Sequence, residues 1–435
     1  MRTLSSRVSG ARTSRLTLPL YAYATTEEFI LLYPLYALLF QEHGLSVAQI
    51  SSLFFLWSAT GLLVAVPSGA WADVVPRRYL LAAAPLLAAA AFTLWLVAPS
   101  YWAFALGFVL WGAGGALSSG ALEALVHTEL ALRDGTDRYA AIMGVRRTLG
   151  VVAAGGATLL AIPVMSAGGY PAVGAASVAA CALCFLAGLA LPEHREDAAA
   201  SEADGACDRT GGVDDADGPD GQVDAQASEK PPVSAYTAAL RAGLAEARAS
   251  RAVRTAIVLV IVVGVFWGVL DEYLPLLAVE SGTPVEAVPF VVLVAWTGAS
   301  VGGLAAGPAA RLPARALPFL LGAGGVAIGA GALLGGPLGW ALIGVGFGAC
   351  QSMDVLVDAR LQDSITGPSR ATVTSLAGLG TDALTLTSYA VYAGAFALLG
   401  HAEAFALFAA PYLLAAAVWA RSGARRGRDS SCASQ

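Results

Sequence analysis

Stretches of mostly apolar residues recur along nearly the whole of this 435-residue chain, separated by short polar breaks. A helix that crosses a membrane needs about 20 such residues, because it rises about 1.5 Å per residue through a hydrocarbon core of about 30 Å. Only 13% of the residues are charged, against roughly a quarter in soluble proteins, which excludes a water-soluble fold. The pattern predicts twelve transmembrane helices, at residues 17–40, 48–72, 79–98, 102–130, 139–165, 171–191, 254–280, 287–310, 316–334, 338–361, 371–398 and 404–420.

One long interruption divides the predicted helices into two groups of six. Residues 192–234 are rich in Asp, Gly, Ala and Pro, a composition that cannot bury a core and predicts a disordered linker. Residues 236–251 predict either a short surface helix or the solvated end of that linker. The expected fold is an all-α membrane protein with six-helix bundles at 1–191 and 254–421, a cytoplasmic linker at 192–253 and a cytoplasmic tail at 422–435.

Short internal matches indicate that the two halves arose by duplication, as in many secondary transporters. They occur in the same order in both halves, as Pro34 with Pro275, Pro67 with Pro308, and segment 123–127 with segment 354–358.

Lys and Arg residues lie at alternate ends of the predicted helices, and the intervening turns at 41–48 and 99–101 contain none. By the positive-inside rule we expect both termini and the linker on the cytoplasmic side of the cell (inner) membrane. The first apolar stretch is too long for a signal-peptide core, carries Glu27 and Glu28 and lacks a clear cleavage site, so we expect it to remain as helix one.

Charged residues inside the predicted helices mark those that line a cavity, because charge is costly in lipid. Helices three, six, nine and twelve carry none and are expected to face lipid. The candidates for a substrate and proton cavity are Glu27, Glu28, Glu123, Arg146, Arg147, Asp271, Glu272, Asp354 and Asp382.

Neighbouring residues on a helix point about 100° apart. We therefore expect only one residue of each adjacent pair, Glu27 with Glu28 and Asp271 with Glu272, to face the cavity.

Burial favours the protonated form of a carboxylate and a nearby arginine favours the ionised form, so movement of the arginine or of a substrate can switch protonation. Our hypothesis for the proton-sensitive group is Glu27 or Glu28.

The helical rise places Glu123, Arg146 and Arg147 at similar depths, so these side chains can meet. We expect Glu123 and Arg147 to form the switchable ion pair. The alternative is a static pair that only stabilises helix packing.

The segment between helices two and three reads GAWADVVPRR and resembles the signature loop of the major facilitator superfamily. That pattern is roughly Gly, three residues, Asp, a basic residue, Gly and a basic pair. The residues that match it are Gly69, Asp73, Arg77 and Arg78, whereas Val74 and Pro76 depart from it.

The resemblance implies a gating loop. In that family the loop aspartate, here Asp73, is thought to sit at the cytoplasmic start of helix eleven, where a helix N-terminus favours negative charge. The basic pair is thought to reach carboxylates at the inner ends of neighbouring helices, here Glu129.

Segments 67–69, 119–124 and 370–373 also resemble a branch that contains many drug and metabolite exporters. The resemblance implies a monomeric secondary transporter that uses the proton gradient and no cofactor, with a small molecule, protons and the bilayer as partners and no nucleic acid. The leading hypothesis is proton-coupled efflux, by antiport, of an amphipathic or cationic drug-like or metabolite compound. The alternatives are a proton-coupled uptake symporter and a membrane sensor with the same fold that does not transport.

An enzyme is not expected, because the sequence shows no nucleophile or metal constellation. The four histidines, His43, His127, His194 and His401, are scattered, and no Gly-rich nucleotide-binding loop with a lysine occurs. We interpret Cys181 and Cys184 on helix six as packing residues rather than as a metal or redox site.

Overall fold

In a computed structural model of the protein, residues 16–132, 138–194, 250–365 and 370–432 are described, apart from the side chains at 66, 70, 73, 370, 371 and 422–432. This part of the chain is helical and contains no strand. The helices are α1 at 16–28, α2 (Tyr36–Glu42), α3 (Val47–Val74), α4 (Arg77–Val97), α5 (Tyr101–Ala131), α6 (Tyr139–Leu189), α7 (Arg251–Glu280), α8 (Val288–Ala310), α9 (Leu317–Leu334), α10 (Gly336–Ser364), α11 (Arg370–Leu399) and α12 (His401–Cys432).

Twelve membrane crossings follow from these helices. Ten of the helices in the described residues are long and apolar enough to cross a membrane. One of them, α6, has 51 residues and makes two crossings, because Gly169 adopts a non-helical backbone with φ 62° and ψ −160°. The short helices α1 and α2 together make the first crossing. The predicted fold of two six-helix halves is confirmed, whereas most of the predicted linker lies outside the described residues.

The first crossing is broken in its middle, where the sequence predicts one continuous helix. Residues 29–35, which include Pro34, separate α1 from α2. A proline has no N–H to donate to a helix, and backbone groups inside a membrane must find other partners. The N–H of Leu32 donates to Ser177 Oγ of α6 at 3.0 Å. This break places Glu27 and Glu28 in the last turn of α1.

The two halves meet mainly through three helix pairs: α2 with α7, α3 with α11, and α6 with α8. Helix α4 packs on α5 and α6 of its own half, and α9 packs on α10 and α12. The helices predicted as three, nine and twelve therefore lie away from the main contacts between the halves.

The halves are joined at one membrane face and separate at the other. One hydrophobic cluster contains residues of both halves, among them Phe54 and Tyr273. A second cluster, around Leu81, belongs to the first half, and a third, around Leu361, belongs to the second half. These two separate clusters lie at the face where α1 begins and α12 ends, which we call the terminal face. In the part of the chain that the structure describes, the two halves are therefore open toward the terminal face and closed at the opposite face.

Close contact between α8 and α10 depends on paired glycines. A Cβ added at Gly298 would overlap the carbonyl of Gly344, and one added at Gly302 would overlap that of Gly348. Small residues of this kind allow membrane helices to approach backbone to backbone. The contact holds α8, which carries Trp296, against its own half and beside α7.

Candidate functional site

A cavity of about 250 Å³ lies between the two halves, and we call it the central cavity. The broken first crossing, α3 and α5 line it from the first half, and α7 and α8 line it from the second. Its charged lining residues are three carboxylates, Glu28, Asp271 and Glu272, and its aromatic lining residues are Tyr33, Tyr36, Trp57, Trp111 and Trp296.

Three rings of the first half stack into one wall of the central cavity, which we call the aromatic wall. Tyr33 stacks on Trp111 with ring centres 5.4 Å apart and an interplanar angle of 17°. Trp57 stacks on Trp111 at 5.4 Å and 30°. The wall therefore combines rings from the helix break, α3 and α5 into a continuous apolar surface.

Asp271 and Glu272 of α7 both line the central cavity, and we call them the acid pair. Asp271 accepts hydrogen bonds from Nε1 of Trp296 at 2.9 and 3.0 Å to its two oxygens. Glu272 accepts a short hydrogen bond from the hydroxyl of Tyr36 in the other half. The expectation that only one of the two faces the cavity is wrong. The cavity extends from α2 to α8 around α7, so directions 100° apart both open into it.

Glu27 and Glu28 differ in what they face. A second cavity of about 200 Å³, the side cavity, lies within the first half and borders both residues as well as Cys181 and Cys184. Only Glu28 also borders the central cavity. The side cavity is also lined by Pro85 and Phe92 of α4, so the predicted helices three and six carry residues that border a cavity although they carry no charge.

The ion pair in this region joins Glu27 to Arg146 rather than Glu123 to Arg147. Arg146 Nη2 lies 3.1 Å from Glu27 Oε2, and both side chains are about a quarter exposed, at 28% and 26%. Glu123 and Arg147 are exposed and do not form an ion pair in the part of the chain that the structure describes. Equal depth allowed both pairings, but the direction of each side chain around its helix selects Arg146 and Glu27.

Two further candidates lie apart from both cavities. Asp354 of α10 packs against α7, where a Cβ at Gly264 would lie 3.2 Å from its Oδ1. Asp382 of α11 is exposed.

The predicted gating loop is helical over most of its length. Gly69 and Asp73 lie in the last turns of α3, and α4 begins at Arg77, so only Val75 and Pro76 lie between the helices. The side chain of Asp73 is outside the described residues, and its expected position at the start of helix eleven stays a prediction.

The basic pair of the signature segment is held within the first half. The guanidinium of Arg77 donates to the carbonyl of Ala124 at 3.1 Å and to Thr128 Oγ1 at 2.9 Å. The guanidinium of Arg78 lies 4.8 Å from the centre of the Tyr79 ring.

Glu193 and His194, which follow α6, also belong to this region. The sequence had assigned both residues to the linker. Glu193 accepts hydrogen bonds from the backbone N–H groups of Arg77 and Arg78, at 2.7 and 3.1 Å, and so caps the N-terminus of α4. Glu129, only 1% exposed, accepts the backbone N–H of His194 at 2.6 Å and lies 3.0 Å from its Nδ1. Glu193 lies four residues after the last residue of α6, and an acidic residue so close to a helix end was the available sequence signal.

Uncharged contacts across the halves help to hold the closed face, among them those of Ser51, Phe54, Tyr273 and Tyr389, which we call the closure cluster. Ser51 Oγ and the Tyr273 hydroxyl are 2.7 Å apart and buried. The ring of Phe54 packs on Tyr273 at 5.4 Å and on Tyr389 at 5.6 Å. Sequence reasoning that followed charges missed this cluster, because nothing marks a serine or a tyrosine in an apolar span as a partner.

Comparison with solved structures finds the same fold in known transporters. The nucleoside transporter NupG superposes with a TM-score of 0.70, at 12% sequence identity over 94% of this chain and 98% of that chain. A peptide transporter, POT, gives 0.63 at 16% identity, covering 95% of each chain. A D-xylose-proton symporter gives 0.59 at 12% identity, covering 93% of this chain and 96% of that chain.

Comparison of sequences identifies the family to which this chain belongs. No curated protein sequence matches this chain significantly. A family profile, the Major Facilitator Superfamily, matches residues 18–384, which include the signature segment, both cavities and most of the second half. The chain therefore belongs to the major facilitator superfamily, and it is a membrane transporter rather than an enzyme.

Proposed function

We propose that this transporter is a proton-coupled antiporter that exports a small molecule from the cytoplasm by alternating access. The observation that carries the proposal is the central cavity, which lies between the halves and whose described lining has three carboxylates but no Lys or Arg. Its closure at one face and the separation of the halves at the other fit one state of an alternating cycle.

The positive charges support a cytoplasmic terminal face. Arg77, Arg78, Arg251, Arg311 and Arg315 all lie at or beside helix ends on that face. By the positive-inside rule, both termini and the linker then lie in the cytoplasm of a cell-membrane protein. The described state is accordingly open to the cytoplasm, from which an exporter takes its substrate.

The carboxylates support proton exchange. An ionised carboxylate in a low-dielectric cavity is costly unless a cation or a proton compensates it. A proton and a substrate that need the same carboxylate exclude each other, which is the requirement for antiport. One proton driven by 100 mV supplies about 2.3 kcal/mol, enough for a concentration ratio of several tens.

Flux in proteoliposomes tests the proposal. The full chain is reconstituted with a pH gradient, and candidate compounds drawn from a susceptibility panel on a deletion strain are added while a dye reports internal pH. Antiport predicts proton movement opposite to the compound, lost in the Asp271→Asn, Glu272→Gln double variant and retained in Asp363→Asn, which removes an exposed acid of α10. Proton movement in the same direction as the compound would instead show an uptake symporter.

A further inference from the structure

We infer that the substrate is a compact organic cation with an aromatic or alkylated body, bound between the aromatic wall and the acid pair. The inference rests on the proposed function, since it names the substrate of the same cavity. Three properties of the central cavity restrict the class of substrate: its charge, its aromatic lining and its volume.

The charge of the central cavity is uncompensated. A carboxylate offers about four lone-pair sites. Asp271 receives one donor, Nε1 of Trp296, and Glu272 receives one, the hydroxyl of Tyr36. The carboxylate of Glu28 has no hydrogen-bond partner among the described residues, and the nearby Arg146 is paired with Glu27. Among the described lining residues the carboxylates therefore have fewer donors than they can accept and no Lys or Arg beside them, which disfavours anions and favours a ligand that brings a cation.

The aromatic wall selects the kind of cation. The face of an aromatic ring carries negative electrostatic potential and attracts cations that lie over it, and cages of such rings recognise quaternary ammonium groups. Tyr33, Trp57 and Trp111 present stacked rings, and Trp296 adds a fourth ring from the other half. Such a lining suits a weakly hydrated, alkylated or aromatic cation better than a strongly hydrated metal ion.

The division of the site between the halves links binding to movement. The aromatic wall belongs to the first half, and the acid pair belongs to the second. A cation that touches both is bound fully only when the halves are close enough for both surfaces to reach it. The cavity of about 250 Å³ is smaller than the roughly 300–1,000 Å³ of typical ligand pockets, so the cation is compact.

Binding to the purified full-length protein tests this without any gradient. Titration calorimetry compares three compounds of similar size: benzyltrimethylammonium, the uncharged N,N-dimethylbenzamide and the anion benzenesulfonate. Tetramethylammonium, which has no ring, is the fourth. We expect benzyltrimethylammonium to bind at least about tenfold more tightly than each of the others, because it alone satisfies both surfaces.

Matched variants assign the binding to the two surfaces. The Asp271→Asn, Glu272→Gln double variant should weaken benzyltrimethylammonium binding at least about tenfold. Trp111→Leu should weaken it severalfold and reduce its advantage over tetramethylammonium. Asp363→Asn should bind as the unmodified protein does.

Three results would overturn the inference: equal or tighter binding of the uncharged amide, no detectable binding of benzyltrimethylammonium to the unmodified protein, or unchanged binding in the double variant. The comparison among compounds holds even if a variant fails to fold, because it uses the unmodified protein. If the cation binds but drives no proton movement in proteoliposomes, the substrate class stands and the proposed antiport fails.

Discussion

Two adjacent glutamates end α1, and their surroundings assign them different roles. Glu27 borders the side cavity and holds Arg146 at 3.1 Å. Glu28 borders both cavities, and its carboxylate has no hydrogen-bond partner in the described part of the chain. A carboxylate with no fixed partner can exchange a proton at smaller cost than one held in an ion pair, which makes Glu28 the better candidate for the proton site of the proposed antiport.

Glu28→Gln should therefore abolish gradient-driven accumulation, while downhill exchange of the compound continues. Glu27→Gln should retain dependence on the gradient, because its loss frees Arg146 without removing the carboxylate of the central cavity. Both variants keep the shape of the side chain, and their insertion and abundance serve as controls. Initial rates in proteoliposomes with and without a pH gradient measure the effect. Full gradient dependence in both variants would exclude helix one as the proton site.

At the scale of single residues, the sequence identified the charged side chains of the site but not the residues with which they form ion pairs or hydrogen bonds. Glu28, Asp271 and Glu272 were predicted because charge is rare inside apolar spans. The ion pair was assigned to Glu123 and Arg147 instead of Glu27 and Arg146, because counting residues gives depth along a helix and leaves open which neighbour a side chain faces. The hydrogen bond between Ser51 and Tyr273 could not be predicted, since both residues are common in membrane helices.

At the scale of helices, α6 positions Glu28 through a glycine. A Cβ at Gly150 would lie 3.2 Å from Cγ of Glu28, whereas one at Gly144, earlier on the same helix, would meet nothing within 4 Å. Contact at 3.2 Å requires the glutamate to move by a few tenths of an ångström. Gly150 is therefore one of the residues that define where this carboxylate lies.

Gly150→Ala should reduce the rate of proton-driven transport severalfold by displacing Glu28. Gly144→Ala gains the same helix propensity, about 1 kcal/mol, without touching Glu28, and should transport at the normal rate. Transport rates normalised to protein abundance decide between them. Equal rates in both variants would show that the position of Glu28 does not limit transport.

The helices themselves were largely predictable, and their irregularities were not. Each crossing was placed correctly from its apolar run, including the two in α6. The break near Pro34 was missed because a proline alone does not determine one: the corresponding Pro275 lies inside a continuous α7. The break also depends on Ser177, which accepts from Leu32 and lies 145 residues away.

At the scale of the whole molecule, the proposed alternating access requires the closed face to open, and we expect the closure cluster to oppose that opening. Opening of the closed face must separate Ser51 from Tyr273 and Tyr36 from Glu272, since each pair joins the halves. The family fold followed from the sequence. The conformational state did not, because it depends on weak contacts between helices that the apolar pattern does not reveal.

Ser51→Ala should shift the balance toward the state that is open at the closed face. Loss of one hydrogen bond changes a free energy by about 0.5–1.5 kcal/mol, which is roughly a two- to tenfold change in population. Ser52→Ala is the matched control, because Ser52 bonds Tyr101 within its own half at 3.0 Å.

Spin labels at the exposed Ala48 and Ser281, in a variant without native cysteines, report the distance across the closed face. A longer distance should gain population in Ser51→Ala and not in Ser52→Ala. Identical distance distributions in the two variants would show that the closure cluster does not control opening of the closed face.

The central claim is that a proton and a cationic substrate exclude each other at the carboxylates of the central cavity. Proton release on binding tests it most directly, using purified protein in weak buffer, a pH indicator and benzyltrimethylammonium. We predict release of about one proton per bound cation near neutral pH, decreasing as the pH rises because the carboxylates are then already ionised. The release should disappear in the Glu28→Gln variant, which removes the proposed proton site and keeps the acid pair that binds the cation. Cation binding without proton release at any pH from about 5 to about 9 would contradict the claim.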